Sequence, residues 1–512
     1  MKDVAILTKY YRNYNYGGML QGYALYSAVK SLGYNVDIIS YDVRNNANSV
    51  YPSIIQQTKQ YGLGAAIQKV AEKVIAKGKF FIKDIIEERT ELFDKFEADI
   101  DADTDLYSDD SINNLKREYR VFVSGSDQIW NPNAVRNLYL QTFVSEPYRK
   151  ISYAASIGRD SFSDYEANIM IPAINRFGTI GVREKTAKEL LSKYISQSVT
   201  TVLDPTFLLS IEEWEKVSAK RLVDEKYALI YFFSDSLEVR KKAQEFCKER
   251  GLKLVVIPYA KQEYNLSDSK GPGTRMNDVG PREFVSLIKN AEFVFTDSFH
   301  GAVFSLIHQI PFAVFERNKS GHVSMNSRLY DLLELFQEKD RLVNIDDFNR
   351  VTALSSIDSE KIKKIISSWR DFSLKFLSDS IDDGIQKYNE SEELKTVTGR
   401  EDECSGCGEC IIFCPKKSIS FAKNSNGFQV PVIDAKTCIQ CGLCKSVCPV
   451  LNKPKQHKPI EVYGAYSKDE MTRSASGGIA YNIARDTIES GGVVYGAAYT
   501  CLLYTSPSPR DS

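Results

Sequence analysis

Long hydrophobic runs are missing from this chain. No stretch approaches the roughly 18 uninterrupted apolar residues that a membrane-spanning helix needs, so no integral membrane segment is expected. No secretory leader is expected either, because the opening MKDVAILTKYYRNYNYGG has an apolar run too short for a signal core and no small-residue cleavage site. Net charge is nearly absent: 66 Lys and Arg stand against 67 Asp and Glu, a balance of -1 that supplies no general attraction to nucleic acid. Cysteine is scarce outside one region. Of ten, only Cys247 and Cys501 fall outside positions 404–448, which leaves no disulfide framework for an oxidising compartment and points to a reducing cytoplasm. Cys247, on a helical run, reads as a small buried apolar residue.

What is present begins with size. At 512 residues the chain is too long for one core, and two to four domains are expected. Its 43% hydrophobic and 26% charged residues are ordinary for a globular protein. The most specific signal is a repeated cysteine spacing, CSGCGECIIFCP followed by CIQCGLCKSVCP. Each run is C-x2-C-x2-C-x3-C-P: Cys404, Cys407, Cys410 and Cys414, then Cys438, Cys441, Cys444 and Cys448. A cubane cluster needs three thiolates from one tight loop and a fourth from another direction, and glycines inside the runs let the loops wrap. Structural zinc prefers two knuckles with a longer gap, and disulfides suit small secreted domains. The pattern resembles the bacterial two-cluster ferredoxins, in which the fourth Cys of each run serves the other cluster. That resemblance implies two 4Fe-4S clusters, one on Cys404, Cys407, Cys410 and Cys448, the other on Cys438, Cys441, Cys444 and Cys414.

The N-terminal part alternates strand and helix. VAILTK passes into NYGGM and a helical run LQGYALYSAVKSLG, followed by the strand VDIISYD, which is a β-α-β opening. Residues 54–115 are rich in Lys and Glu at helical spacing and read as one or two solvated amphipathic helices packed on the domain. Further on, YALIYFF, EVRKKAQEFCKERG, LKLVVIPY, PREFVSLIKNA and EFVFTD alternate strand and helix again. In such folds ligands sit where loops leave the carboxyl ends of strands. Ser298, Phe299, His300 and Gly301 occupy one such strand-to-helix turn.

The succession NYGGMLQGYAL, VSGSDQIWNP, SYAASIG, VREKTAKELL, VLDPTFLL and FTDSFHGAVFSLIHQIPFAVF resembles the polysaccharide pyruvyl transferase family over about residues 1–350. The resemblance implies an α/β fold of two Rossmann-like, GT-B-like halves, with boundaries expected at 1–175 and 176–385. It also implies transfer of the enolpyruvyl group of phosphoenolpyruvate to sugar hydroxyls. In that reading His300 is the acid/base group, Arg183 grips an anionic group in a two-pronged contact, and Asp127 orients a hydroxyl or the His. The plainer alternatives stay open: His300 as a turn cap, Arg183 as an ion-pair partner, Asp127 as a helix N-cap. His308 reads as a packing residue, and His322 and Arg328 lie in a polar loop. Ketal-forming members commonly carry an arginine two places before the His, where this chain has Ser298. Arg317, Lys319, Arg328 and Arg275 are the candidate replacements for that cation.

A charged helical run, DSEKIKKIISSWRDFSLKFLSDSIDD, closes the second half, and residues 386–403 are expected to be a linker. A small α+β ferredoxin-like domain follows at 404–452. The segment PIEVYGAYSKDEMTRSASGGIAYNIARDTIESGGVVYGAAY, within 459–500, resembles the opening of the deazaflavin-dependent hydrogenase/dehydrogenase beta-subunit family. That implies FAD or deazaflavin, with Ser474, Ser476, Gly477 and Gly478 contacting its phosphate at a helix start, and a redox partner protein or flavin. The last twelve residues, 501–512, continue no pattern and look like translated sequencing adapter, so this third, α/β segment is expected to be truncated. Two rival readings remain: an iron-sulfur flavin oxidoreductase whose N-terminal half is a binding scaffold, and clusters acting as a redox sensor on the transferase.

Overall fold

The computed structural model describes residues 1–41, 83–100, 105–259, 265–317, 326–354, 356–393, 397–398, 403–424, 427–434, 437–439, 441–453, 461, 464–468 and 478–494. They form two compact units, 1–394 and 395–512.

The first unit holds two parallel sheets. One has the order β2-β1-β3-β4-β5-β6, built from β1 (Lys2–Leu7), β2 (Val36–Ile38), β3 (Tyr119–Gly125), β4 (Lys150–Ala155), β5 (Thr179–Val182) and β6 (Val199–Thr201). The other has the order β11-β10-β7-β8-β9, from β7 (Tyr227–Tyr231), β8 (Lys253–Val256), β9 (Thr274–Arg275), β10 (Phe293–Thr296) and β11 (Phe312–Val314). Continuous apolar runs explain the central strands. A parallel strand covered on both faces has no polar side to display, and Val4 to Leu7 are all fully buried.

Helix α1 (Tyr16–Ser31) begins two residues earlier than LQGYAL suggested, at the cap Asn15, whose side chain accepts from Gly18 N at 3.1 Å. It is buried nearly all round because it lies between the halves. Tyr16 stacks on Phe284 with centroids 4.6 Å apart and donates to Val279 O at 2.9 Å. Helix α2 (Lys83–Ala98) is the long helix in the described part of the Lys/Glu-rich stretch; residues 54–82 and 101–104 lie outside the described residues. It is more than a solvated helix: Phe93 and Phe96 are buried, and Arg89 donates to Pro258 O and Asn277 O, each at 2.7 Å, in the second half. In that half α3 (Leu237–Arg250) buries Cys247, where burial pushes the thiol up to about 12, as a packing residue requires. Next come α4 (Pro281–Lys289), α5 (Phe299–Ile307) and α6 (Ser327–Leu335).

Two boundaries differ from the expectation. The first half does not end at 175, because Ile151 pairs with Thr179 and Ile180 with Val199, so β5 and β6 complete its sheet. The long helix α7 (Ser359–Glu393) returns to that same sheet instead of closing the second half. Phe376 covers Gly181, Gly384 lies against Tyr148 O and Val121, and Leu377 and Ile381 are fully buried. The helix also takes in residues 386–393 of the expected linker, since Tyr388 is buried with the Arg149 guanidinium 4.9 Å from its ring centroid.

The second unit contains an antiparallel pair, β12 (Ile419–Lys423) with β13 (Gln429–Ile433), and two one-turn helices, α8 (Glu409–Ile412) and α9 (Leu443–Ser446). Each helix is entered through a left-handed glycine, Gly408 (φ 78) and Gly442 (φ 76), which is the internal duplication that the repeated cysteine spacing foretells. A further helix, α10 (Ile479–Glu489), lies beyond them. Among the described residues, no helix is long and apolar enough to cross a membrane.

Candidate functional site

A pocket of about 210 Å³ lies where carboxyl ends of the two sheets of the first unit face each other. Its walls follow strand ends: Lys9 after β1, Asp127 after β3, Phe233 after β7, Ser298 and His300 after β10, and Arg317 after β11. Gly17 of α1 and Arg328 of α6 complete it. The strand-to-helix placement inferred for His300 is therefore realised, and one pocket joins it to Asp127.

His300 sits in the first turn of α5, which Ser298 caps by accepting from Gly301 N at 3.3 Å. Ser298 N in turn donates to Thr296 Oγ1 at 3.0 Å. Ser298 therefore serves the helix start in the position where a cation was expected. His300 is only 6% exposed, and its ring lies so close to Gly17 that a Cβ there would stand 1.9 Å from Nδ1. NYGG and SFHG, far apart in the chain, thus meet at one point. His300 Nε2 faces Asp204 Oδ2 at 3.6 Å.

Asp127 lies in a strained turn. Ser126, Asp127 and Gln128 have φ of 30°, 29° and 55°, a left-handed conformation that costs non-glycine residues about 1–3 kcal/mol each. Ser126 Oγ donates to Asp204 Oδ2 at 3.1 Å and Lys9 Nζ to Gln128 O at 3.0 Å, ties that hold the strain in place. Burial raises the Asp127 carboxyl, but Lys9, His300, Arg183 and Arg328 outweigh it and hold the group below its ordinary value.

Arg183 is close by but behind the pocket. Its Nη1 donates to Asp204 Oδ2 at 2.8 Å, its Nε to Glu184 Oε1 at 2.9 Å and its Nη2 to Ser156 Oγ at 3.0 Å, while Phe299 covers it at 4.1 Å. Three partners thus engage the fork that was expected to grip an anion. Of the proposed replacement cations, Arg317 and Arg328 line the pocket. Arg275 bonds to Asp268 O and Gly271 O elsewhere, and Lys319 and His322 lie outside the described residues. Arg317 lies 4.0 Å from the Phe233 ring centroid and donates to Asp297 O at 2.8 Å. The Arg328 guanidinium is pushed down to about 9, first by burial and then by Arg183 and Arg317. His308 does not line the pocket; burial pushes it down to about 4, as suits a packing residue.

Sequence reasoning missed Lys9 and Asp204. Lys9 carried no signal beyond its place just after a strand. Asp204 stands in VLDPTFLL, where Asp-Pro reads as a cap, and it does accept from Thr206 N at 3.0 Å; its second oxygen faces His300 and Arg183.

In the second unit, Cys404, Cys407, Cys410 and Cys448 line one small cavity. Cys448 belongs to the second run and lines this cavity together with three cysteines of the first. Gly406 N donates to Cys404 Sγ and Ser418 N to Cys414 Sγ, both at 3.3 Å, the kind of contact that stabilises thiolate on a cluster. No set of three or more His, Cys, Asp or Glu converges on a single-ion site among the described residues. Of the expected flavin contacts, Ser474, Ser476 and Gly477 lie outside the described residues, as do residues 501–512, and Gly478 precedes α10 with φ 75°.

Comparison with known proteins agrees with both units. A family model described as polysaccharide pyruvyl transferase matches residues 15–319, and two described as 4Fe-4S dicluster domain match 403–452 and 434–505. The ketoisovalerate oxidoreductase subunit VorC of Methanothermobacter marburgensis is 33% identical over 57 residues, 11% of this chain and 72% of that protein. An uncharacterized ferredoxin of Methanocaldococcus jannaschii is 34% identical over 56 residues, 11% of this chain and 70% of that protein. Among solved structures, UDP-GlcNAc 2-epimerase from Methanocaldococcus jannaschii aligns with 72% of this chain and 99% of its own at 12% identity and a TM-score of 0.43. The family match spans α1, the strained turn, the Arg183 cluster and the His300 turn, and the chain belongs to the polysaccharide pyruvyl transferase family, with a 4Fe-4S ferredoxin-type module joined to it.

Proposed function

We propose that the first unit transfers the enolpyruvyl group of phosphoenolpyruvate to two hydroxyls of a sugar in cell-surface polysaccharide synthesis, giving a pyruvate ketal and free phosphate. The observation that carries this reading is the pocket itself, where Lys9, Arg317 and Arg328 surround His300 and Asp127. A small trianion needs converging cations, and about 210 Å³ suits such a ligand better than the larger volumes drug-sized ligands occupy. Arg317 and Arg328 stand in for the arginine that Ser298 replaces.

The chemistry balances without a redox step. One proton goes to the methylene carbon, the first sugar hydroxyl adds to the adjacent carbon and replaces that proton with its own, phosphate departs with the C–O electron pair, and the second hydroxyl closes the ketal, its proton leaving with the phosphate. His300 moves protons and Asp127, held ionised, orients the acceptor or the imidazole. Arg183 serves this site from behind.

In the second unit Cys404, Cys407, Cys410 and Cys448 hold one 4Fe-4S cluster, and Cys438, Cys441, Cys444 and Cys414 hold its neighbour. When bound, the clusters supply one-electron transfer to a redox partner protein or flavin. A flavin or deazaflavin at the start of α10 belongs to the same proposal, supported by the left-handed Gly478 ahead of an eleven-residue helix. Ketal formation involves no net oxidation, which supports a cluster module that works separately, and the scarcity of cysteine outside the cluster runs supports a cytoplasmic location.

The test is phosphate release from phosphoenolpyruvate in the presence of cell-envelope sugar precursors, with ketal detection on the sugar. His300→Ala should lower the rate by about 10²–10⁴ with folding and iron content intact. Release that needs no sugar, or equal turnover in His300→Ala, removes the assignment.

A further inference from the structure

The buried charges behind the pocket carry an inference about how His300 works, resting on its reading as the acid/base group. Asp204 is 2% exposed and both of its oxygens are engaged. Oδ1 accepts from Thr206 N at 3.0 Å and Thr206 Oγ1 at 2.7 Å; Oδ2 accepts from Arg183 Nη1 at 2.8 Å and Ser126 Oγ at 3.1 Å. These contacts leave the carboxylate no freedom to rotate. Oδ2 is also the charge facing His300 Nε2 at 3.6 Å, just past hydrogen-bond length, and Nε2 is buried with no other hydrogen-bond partner.

The ring's two nitrogens therefore differ. Nε2 is sealed in the protein against a fixed carboxylate. Nδ1 lies on the other side of the ring against Gly17, and both residues line the pocket. In a histidine, the partner of one nitrogen decides which proton the other carries. A carboxylate opposite Nε2 favours a proton there and disfavours a bare lone pair. Burial alone would raise the Asp204 carboxyl, but His300 and Arg183 hold it far below its ordinary value, so the charge is present at neutral pH.

We propose that Asp204 fixes neutral His300 as the Nε2–H tautomer and presents Nδ1 to the pocket as the proton-transfer atom, and that Arg183 acts through Asp204 and not on substrate. Asp204 and Arg183 are then positioning residues. As imidazolium, His300 gives the Nδ1 proton to the methylene carbon of the enolpyruvyl group. As the neutral Nε2–H form, it takes a proton onto Nδ1 from the sugar hydroxyl. The proton passes from hydroxyl to carbon, the ring returns to its starting state, and no electrons are exchanged with a third party. Gly17 follows from the same arrangement, since any side chain there would occupy the place of Nδ1.

The chain has four histidines, so ¹⁵N-histidine labelling of the full-length protein gives a spectrum in which His300 is identified by its loss in His300→Gln. Long-range ¹H–¹⁵N correlations above the ring's titration read the tautomer directly. The expected result is Nε2–H in the wild type and a substantial Nδ1–H population in Asp204→Asn, with kcat down by about 10²–10⁴. Arg183→Met should lower kcat and disturb the tautomer while leaving KM for phosphoenolpyruvate within about twofold. A wild-type Nδ1–H tautomer overturns the proposal even if Asp204→Asn fails to fold. So does Arg183→Met with an unchanged tautomer and a KM raised more than tenfold, which would place Arg183 on the substrate. Because the tautomer is read without turnover, the absence of pyruvyl transfer would defeat the functional reading and leave this measurement to decide the other.

Discussion

Arg328 shows at the scale of one residue how a binding site differs from a stable core. Burial, then Arg183 and Arg317, push its guanidinium down to about 9 from an ordinary value above 12. A base whose folded value is depressed opposes folding at every pH below that value, because the charged form is the one the fold disfavours; the penalty fades only as pH rises above about 9. An anion entering the pocket reverses the balance. Arg328→Met should therefore melt at the same or a higher temperature than the wild type without ligand, yet lose the upshift that phosphoenolpyruvate gives. In the wild type that upshift corresponds to about 2.7 kcal/mol at a hundredfold excess over Kd. A variant that melts lower and keeps the upshift would show Arg328 to be a structural cation. Asp204 and Arg183 follow the opposite logic: each is buried against the other's charge, so removing one takes a buried counter-charge from the other.

At the scale of elements, the pocket is a meeting of helix starts with strand ends. α1 and α5 bring their first turns together so closely that Gly17 has no room for a methyl group beside His300. Gly17→Ala should displace the imidazole and cost at least about 10² in rate, since a shift of about 1 Å at a reacting group costs that much. Gly33→Ala is the contrast. Gly33 has φ 94° and open space around its Cα, so the change should lower stability by about 1 kcal/mol and leave kcat alone. Equal rates in Gly17→Ala and wild type would mean that His300 does not need its observed place. Much of this was legible in the sequence, because strand-to-helix turns carry local signatures: a short apolar run, then small or polar residues, then helical spacing. What was not legible is non-local. Nothing in the periodicity of β5 and β6 says which sheet they join, and Arg183 reads alike whether it faces substrate or Asp204. Cys448 is an exception, because the resemblance to the two-cluster ferredoxins implies the crossing between the two runs. Cys448→Ser should accordingly reduce iron from about eight to about four per chain and remove the cluster of the first run, as iron analysis and low-temperature EPR of the reduced protein would report. Loss confined to the cluster of the second run would reverse the assignment.

For the whole molecule, the decisive element is α7. A cut near Asp383, just before the polar stretch that the sequence marks as a linker, would seem harmless, but the helix continues to Glu393 and buries Tyr388 against Arg149. Arg149 is itself 2% exposed and donates to Arg120 O at 2.8 Å, Lys116 O at 2.9 Å and Tyr119 O at 2.7 Å, so it braces the start of β3. A chain ending at Leu394 should therefore fold and keep whatever transfer activity the full chain has. One ending at Asp383 should lose about 1.5–3 kcal/mol, the burial of one large side chain, and melt several degrees lower. The comparison also bears on the second unit. Every residue of the pocket lies in 1–394, and ketal formation moves protons and phosphate without net oxidation. The 1–394 chain should thus match the full chain in kcat, and the full chain should turn over equally with its clusters oxidised or reduced by dithionite under anaerobic conditions. If the rate of the full chain changes on reduction while that of 1–394 does not, the clusters govern the transferase as a redox sensor and the two units are not independent.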